Sequence, residues 1–219
     1  MNTTQTFQLT TIKNYALTQL KDDKTGHSGD HLQRVASMVQ KIATHYEQAD
    51  LFLALSAAYL HDVIDDKLFE PTAKKAQLEA FLTEIALPYT QVNAILEIIT
   101  SISFAHSLEH APQLSLEAQI VQDADWLDAI GAIGITRAIY FGGAHQEKIY
   151  DPTIPVRTQL TKESYRNLTE ETIMNHFHEK LFLLKDKLNT PYAKKIAQQR
   201  HQFMETFYAQ FMAEWQADK

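Results

Sequence analysis

Leu51-Phe-Leu-Ala-Leu-Ser-Ala-Ala-Tyr-Leu60 is followed at once by His61-Asp62 and then by Val63-Ile-Asp-Asp-Lys67. Leu51, Leu55, Ala58 and Leu60 recur at helical spacing and mark a stripe that faces a core. The helix then gives way to an acidic cluster, with an imidazole and a carboxylate at the junction. Adjacent helical residues point about 100° apart, so His61 and Asp62 can take neighbouring positions around one cation. Alone, a His-Asp pair also suits a capped helix end.

The same periodicity extends outward in both directions. Leu32, Val35, Val39 and Ile42 form an upstream stripe. Further helices are expected from about Thr72 to Ala86, Gln91 to Ile102, Ser115 to Phe141, Thr169 to Leu188 and Pro191 to Trp215. Alternating segments that would read as strands are almost absent. Glycine and proline number 6 each in 219 residues, far fewer turn residues than sandwiches and barrels need. The fold class expected is all-α, and residues 1–219 read as one domain because no break is long enough to be a linker. Residues 142–166 form the longest irregular stretch, read as a lid or substrate wall with a plain surface loop as the alternative.

Composition narrows the chemistry. There is no cysteine, so a metal would be held by nitrogen and oxygen donors. A formal net charge of −7 disfavours a nucleic acid partner, since duplex binding rests on lysine and arginine neutralising phosphates. A small phosphate ester stays compatible. No stretch has the apolar length to span a bilayer, and the first twenty residues lack a basic region followed by an apolar run, so a cytoplasmic, non-membrane protein is expected.

Two other segments give His61-Asp62 its meaning. His31 begins an amphipathic helix, and Asp125 lies in Val121-Gln-Asp-Ala-Asp-Trp-Leu-Asp128, where carboxylates interrupt apolar residues. Buried carboxylates are costly unless paired or bound to a metal. Asp123, Asp125 and Asp128 cannot share one helical face, so one or two are expected inward and another solvated or capping a neighbour.

The ordered pattern of His31 in DHLQRV, His61-Asp62 in LHDVIDDK and Asp125 in QDADWLDAIGAIG resembles the HD-domain metal-dependent phosphohydrolase superfamily. The likeness is to its stand-alone bacterial branch, similar to the YpgQ and YedJ proteins. Ser101-Ile-Ser-Phe104, Phe141-Gly-Gly143, Ile149-Tyr-Asp-Pro152 and Asn175-His-Phe-His-Glu-Lys-Leu181 extend the resemblance over nearly the whole chain. One departure stands out: Trp126 occupies a position that usually carries arginine, which bears on substrate affinity and rate more than on metal binding.

The resemblance implies an HD-domain helical bundle with a central cleft, where His31, His61, Asp62 and Asp125 hold one divalent ion. Mn²⁺ is favoured, with Mg²⁺, Co²⁺, Ni²⁺ or Fe²⁺ as alternatives. It implies a small-molecule phosphate substrate, a nucleotide cleaved to monophosphate and pyrophosphate. Phosphomonoester or phosphodiester hydrolysis and a catalytically silent ligand-binding protein are the competing readings. Asp65 or Asp66 would orient water or move a proton, unless they form an exposed acidic loop. Arg34 and Lys67 would hold phosphate, unless they are surface ion-pair partners.

His27 is expected to be a non-ligand. The spacing of His106, His110 and His145 gives no support for a second metal site. His176 and His178 are expected to pack or hydrogen bond. The C-terminal Phe203, Phe207, Phe211 and Trp215 form an aromatic stripe read as core, with a homodimer face as the alternative.

Overall fold

The computed structural model describes residues 1–26, 28–64, 71–109 and 113–217. Most of these are helical, and no named strand occurs among them. The backbone divides into two compact units, Met1–Asp125 and Trp126–Lys219.

The first unit holds α1 (Thr3–Gln19), α2 (Gly29–Ala43), α3 (Leu51–Leu60), α4 (Pro71–Glu84), α5 (Tyr89–Ser101), α6 (Phe104–Glu109) and most of α7 (Leu116–Asp128). Its centre is α3, which packs against α1, α2 and α5. That is where a helix apolar on nearly every side must go. Phe52, Ala54, Leu55, Ala57, Ala58 and Leu60 are all at most 1% exposed. Truncating a side chain such as Leu55 to alanine there costs about 2–5 kcal/mol. The start of α3 is capped by Asp50, whose side chain accepts from the Leu53 amide at 3.0 Å.

Helix α1 was not among the expected elements. Its apolar positions are diluted by threonine and glutamine, yet Ile12, Ala16 and Leu20 are buried at i, i+4 and i+8. Its start carries a reciprocal capping box: the Asn2 side chain accepts from the Gln5 amide at 2.9 Å and the Gln5 side chain from the Asn2 amide at 3.0 Å.

The second unit holds α8 (Gly131–Ala144), α9 (Lys162–Arg166), α10 (Ile173–Glu179), α11 (Leu184–Lys187) and α12 (Pro191–Trp215). α12 packs on α8 and α11, and α10 packs on α8. The bounds of α12 match expectation, with Thr190 capping and proline in the first turn.

The segment from Ser115 to Phe141, expected as one helix, is two helices. Gly131 breaks it with φ +77, a conformation that side chains with a Cβ rarely adopt. Three residues on, a Cβ on Gly134 would lie 2.2 Å from the Ala129 carbonyl oxygen, so the turn closes only around glycine. The expected helix from Thr169 to Leu188 is likewise divided, into a 3₁₀ turn at Leu168–Glu170, α10, a second turn at Leu181–Leu183, and α11. The irregular stretch narrows to residues 145–161, because α8 runs on to Ala144 and α9 begins at Lys162.

Candidate metal centre

The start of α2, the end of α3 and the later part of α7 meet at a point in the first unit. His31 is the third residue of α2, and its backbone amide donates to the Ser28 carbonyl at 3.0 Å. His61 caps the end of α3 while still in helical conformation, and Asp62 follows it. Asp125 comes from α7. Glu117, at the start of α7, accepts from the Asp50 amide at the start of α3 at 3.0 Å. Asp125, about two turns later, faces His61 at the far end of α3, so the two helices run side by side in the same direction.

The donor atoms are tightly grouped. His31 Nε2 lies 3.2 Å from His61 Nε2, 3.3 Å from Asp62 Oδ2 and 3.5 Å from Asp125 Oδ1. His61 Nε2 lies 3.3 Å from Asp62 Oδ1 and 3.6 Å from Asp125 Oδ1. Donors about 2.1 Å from one cation sit roughly 3.0–3.5 Å apart at octahedral or tetrahedral angles, which is the spacing found. His31, His61 and Asp62 are buried, whereas the Asp125 side chain retains 23% of its exposure. The cluster therefore has three interior members and one facing an opening.

Electrostatics agree with a cation there. Burial alone would push the His61 imidazole down, but the Asp62 and Asp125 carboxylates outweigh it and raise it to about 10. For Asp125, burial pushes upward while the hydrogen bond and charge of His61, with the charge of His31, hold it below the usual carboxylate range. His61 Nδ1 lies 2.8 Å from the Ala58 carbonyl, a bond that only a protonated Nδ1 can make, and this leaves Nε2 as the inward donor. Two imidazole nitrogens and two carboxylate oxygens in this arrangement suit a divalent ion of mixed nitrogen and oxygen preference. Among the described residues, His31, His61 and Asp62 form a group able to hold a metal ion.

The three carboxylates of α7 divide between interior and opening, two inward and one outward. Asp123 and Asp128 are both buried, at 0% and 5% exposure, and Asp125 between them is the accessible one. A charge on the far face is tolerated when it is paired, as Asp128 is with Arg137 at 3.2 Å. Trp126 is also interior, at 3% exposure.

Arg34 lies one turn beyond His31 and binds Asp30, which also accepts from the Ser28 hydroxyl. Asp65, Asp66 and Lys67 lie outside the described residues, as do His27 and His110. His106 is half-buried on α6, and His145 is exposed at the end of α8 with Nδ1 2.9 Å from the Phe141 carbonyl. His176 pairs with Glu171 at 2.6 Å, and His178 packs edge-on against Phe182 and Tyr208, in line with structural roles for both. Sequence reasoning missed the ion-pair network of Arg157 with Glu171 and Glu179. Its partners lie 14 and 22 residues away on other elements, and no periodicity connects them.

Comparison with known proteins adds to this geometry. The HD domain family model matches residues 29–130, which span all four donors. The YpgQ protein of Bacillus subtilis is 36% identical over 202 residues, covering 91% of this chain and 89% of YpgQ. A crystal structure from Lactobacillus plantarum is 46% identical with a TM-score of 0.90, over 96% of this chain and 98% of that one. YpgQ in complex with ADP superposes with a TM-score of 0.76 at 32% identity, over 96% of each chain. An HD-superfamily hydrolase from Bacillus thuringiensis does so with a TM-score of 0.73 at 35% identity, over 97% of this chain and 99% of that one. With its His, His-Asp, Asp pattern gathered at one point and its likeness to these relatives running nearly end to end, the chain belongs to the HD domain family.

Proposed function

We propose that this protein is a metal-dependent nucleotide pyrophosphohydrolase, converting a nucleoside triphosphate and water to the monophosphate and pyrophosphate. The observation that carries the proposal is the convergence of His31, His61, Asp62 and Asp125 at 3.2–3.6 Å. These four side chains would hold one divalent ion, with Mn²⁺ favoured. When bound, the ion supplies Lewis acidity toward a phosphoryl oxygen and lowers the pKa of water toward neutrality.

The chain's own residues have separable tasks. The exposed edge at Asp125 gives substrate a way in. Asp65 or Asp66, three and four residues past Asp62, accepts a proton from the attacking water and orients its oxygen toward the α-phosphorus. The bond between that phosphorus and the bridging oxygen breaks, and the pair of electrons leaves with pyrophosphate. Arg34 and Lys67 offset the charge on the leaving group, arginine through its planar fork and lysine as a point charge. That YpgQ has been crystallised with ADP supports a nucleotide as the ligand.

The test is a panel of nucleotides with Mn²⁺, scoring pyrophosphate and orthophosphate separately, with His61→Ala as the control. Pyrophosphate and monophosphate in equal amounts are expected. Orthophosphate alone would replace the reading with a phosphomonoesterase, and no turnover of any phosphate ester would replace it with a binding protein.

A further inference from the structure

The crossover between α8 and α10 in the second unit contains charge that the proposed chemistry does not use. Glu171 and Glu179 are buried, at 5% and 1% exposure. Arg157 joins them: its backbone amide and Nε donate to Glu179 at 2.9 and 3.0 Å, and Nη2 pairs with Glu171 at 3.2 Å. Arg157 Nη1 also donates to the carbonyls of Ser164 at 2.8 Å and Asn167 at 3.0 Å. The other oxygen of Glu171 faces His176 Nδ1 at 2.6 Å. The crossover is closed on α10 by main-chain bonds as well, with the Ile173 and Met174 amides donating to Lys148 and Ile149 at 3.0 Å.

Glu147 stands at the entry to this closure. Its Oε1 is buried and has no hydrogen-bond partner. The approach is tight here, since a Cβ on Gly142 would lie 2.4 Å from the Ile173 side chain and 3.4 Å from Glu147 Oε2. Of the charged groups around Glu147, Glu171 repels an ionised carboxylate, while Arg157 and His145 favour it. Arg157 is already held by Glu179 and Glu171, His176 by Glu171, and Lys148 by Asp151 at 2.6 Å. An ionised Glu147 therefore adds a negative charge near Glu171 on a carboxylate with one oxygen lacking a donor, and the neutral acid, though its oxygen is equally unpartnered, is spared the buried charge. Burial first and the Glu171 charge second raise Glu147 to about 7.

We propose that Glu147 and Glu171 form a pH-sensitive latch, in which neutral Glu147 keeps residues 145–157 closed against α10 and its ionisation loosens them. An acid held above its ordinary value when closed stabilises the closed form most below that ordinary value. The benefit is lost as pH rises from about 4.5 through about 7.

Hydrogen exchange of the metal-free full chain, corrected for intrinsic rates, reads this directly. Amide protection across residues 148–157 should fall about tenfold between pH 5 and pH 8, a reduced figure because Glu147 is partly exposed. Glu147→Gln, and Glu147→Ala as a second variant, should flatten the profile while the amides of α3 stay unchanged. A wild-type profile that is flat or rises with pH, or variants that keep the wild-type fall, would overturn the latch.

Discussion

Replacing His61 with alanine tests the cation site without reference to any substrate. In the metal-free protein the His61 imidazole balances Asp62 and Asp125 at 3.3 and 3.6 Å, and Asp62 is 5% exposed. Removing one partner of a buried charge group costs about 3–5 kcal/mol. The open edge at Asp125 places the expected loss near 3 kcal/mol, and for a chain of this size that lowers Tm by roughly 6–12 °C. The wild type should respond oppositely to manganese. One millimolar ion at a dissociation constant of about 10 μM contributes roughly 2.7 kcal/mol, a rise of about 5–11 °C. Thermal melts in chelator and in 1 mM Mn²⁺ would read both effects. His145→Ala, an exposed position outside the cluster, should behave as the wild type. A His61→Ala protein with the full manganese shift, or a wild type with none, would refute the assignment of these donors to a cation.

With His61 raised to about 10, its proton is bound at pH 7.5 and must leave when a metal ion arrives, so about one proton should be released per ion and affinity should rise roughly tenfold per pH unit up to that value. Calorimetry in buffers of different ionisation enthalpy measures the proton count, and a count of zero contradicts the arrangement. Gly134→Ala should destabilise the fold by about 3 kcal/mol or more in denaturant unfolding, because its Cβ meets the Ala129 carbonyl at 2.2 Å. Gly143→Ala, where a Cβ meets nothing within 4 Å, should be neutral or stabilising by up to about 1 kcal/mol; equal effects at the two glycines would be inconsistent with this packing.

Much of the helical pattern was legible residue by residue. The apolar run of α3 marked a helix that faces a core, and Pro191 marked the start of α12. The break at Gly131 was not legible, because periodicity continues across it and an isolated glycine is compatible with a helix until the positive φ is known. The start of α1 carried a readable signal in Asn2 and Gln5, but its thin apolar stripe gains meaning only from packing against α3. The order of His31, His61-Asp62 and Asp125 was readable, and so was the need for nitrogen and oxygen donors in a chain without cysteine.

What the sequence by itself carried was thus the position of most helical segments, which depends on local periodicity, and, through the family resemblance, which few side chains are candidates to hold a metal ion. Tertiary structure alone decided that donors 30 and 94 residues from His31 lie within 3.6 Å of one another, that Asp125 and not Asp123 or Asp128 is the accessible carboxylate, and that Arg157 joins two buried glutamates. The reason is physical: a helix face fixes the direction of a side chain only relative to its own axis. The position of one axis against another is set by the packing of whole helices.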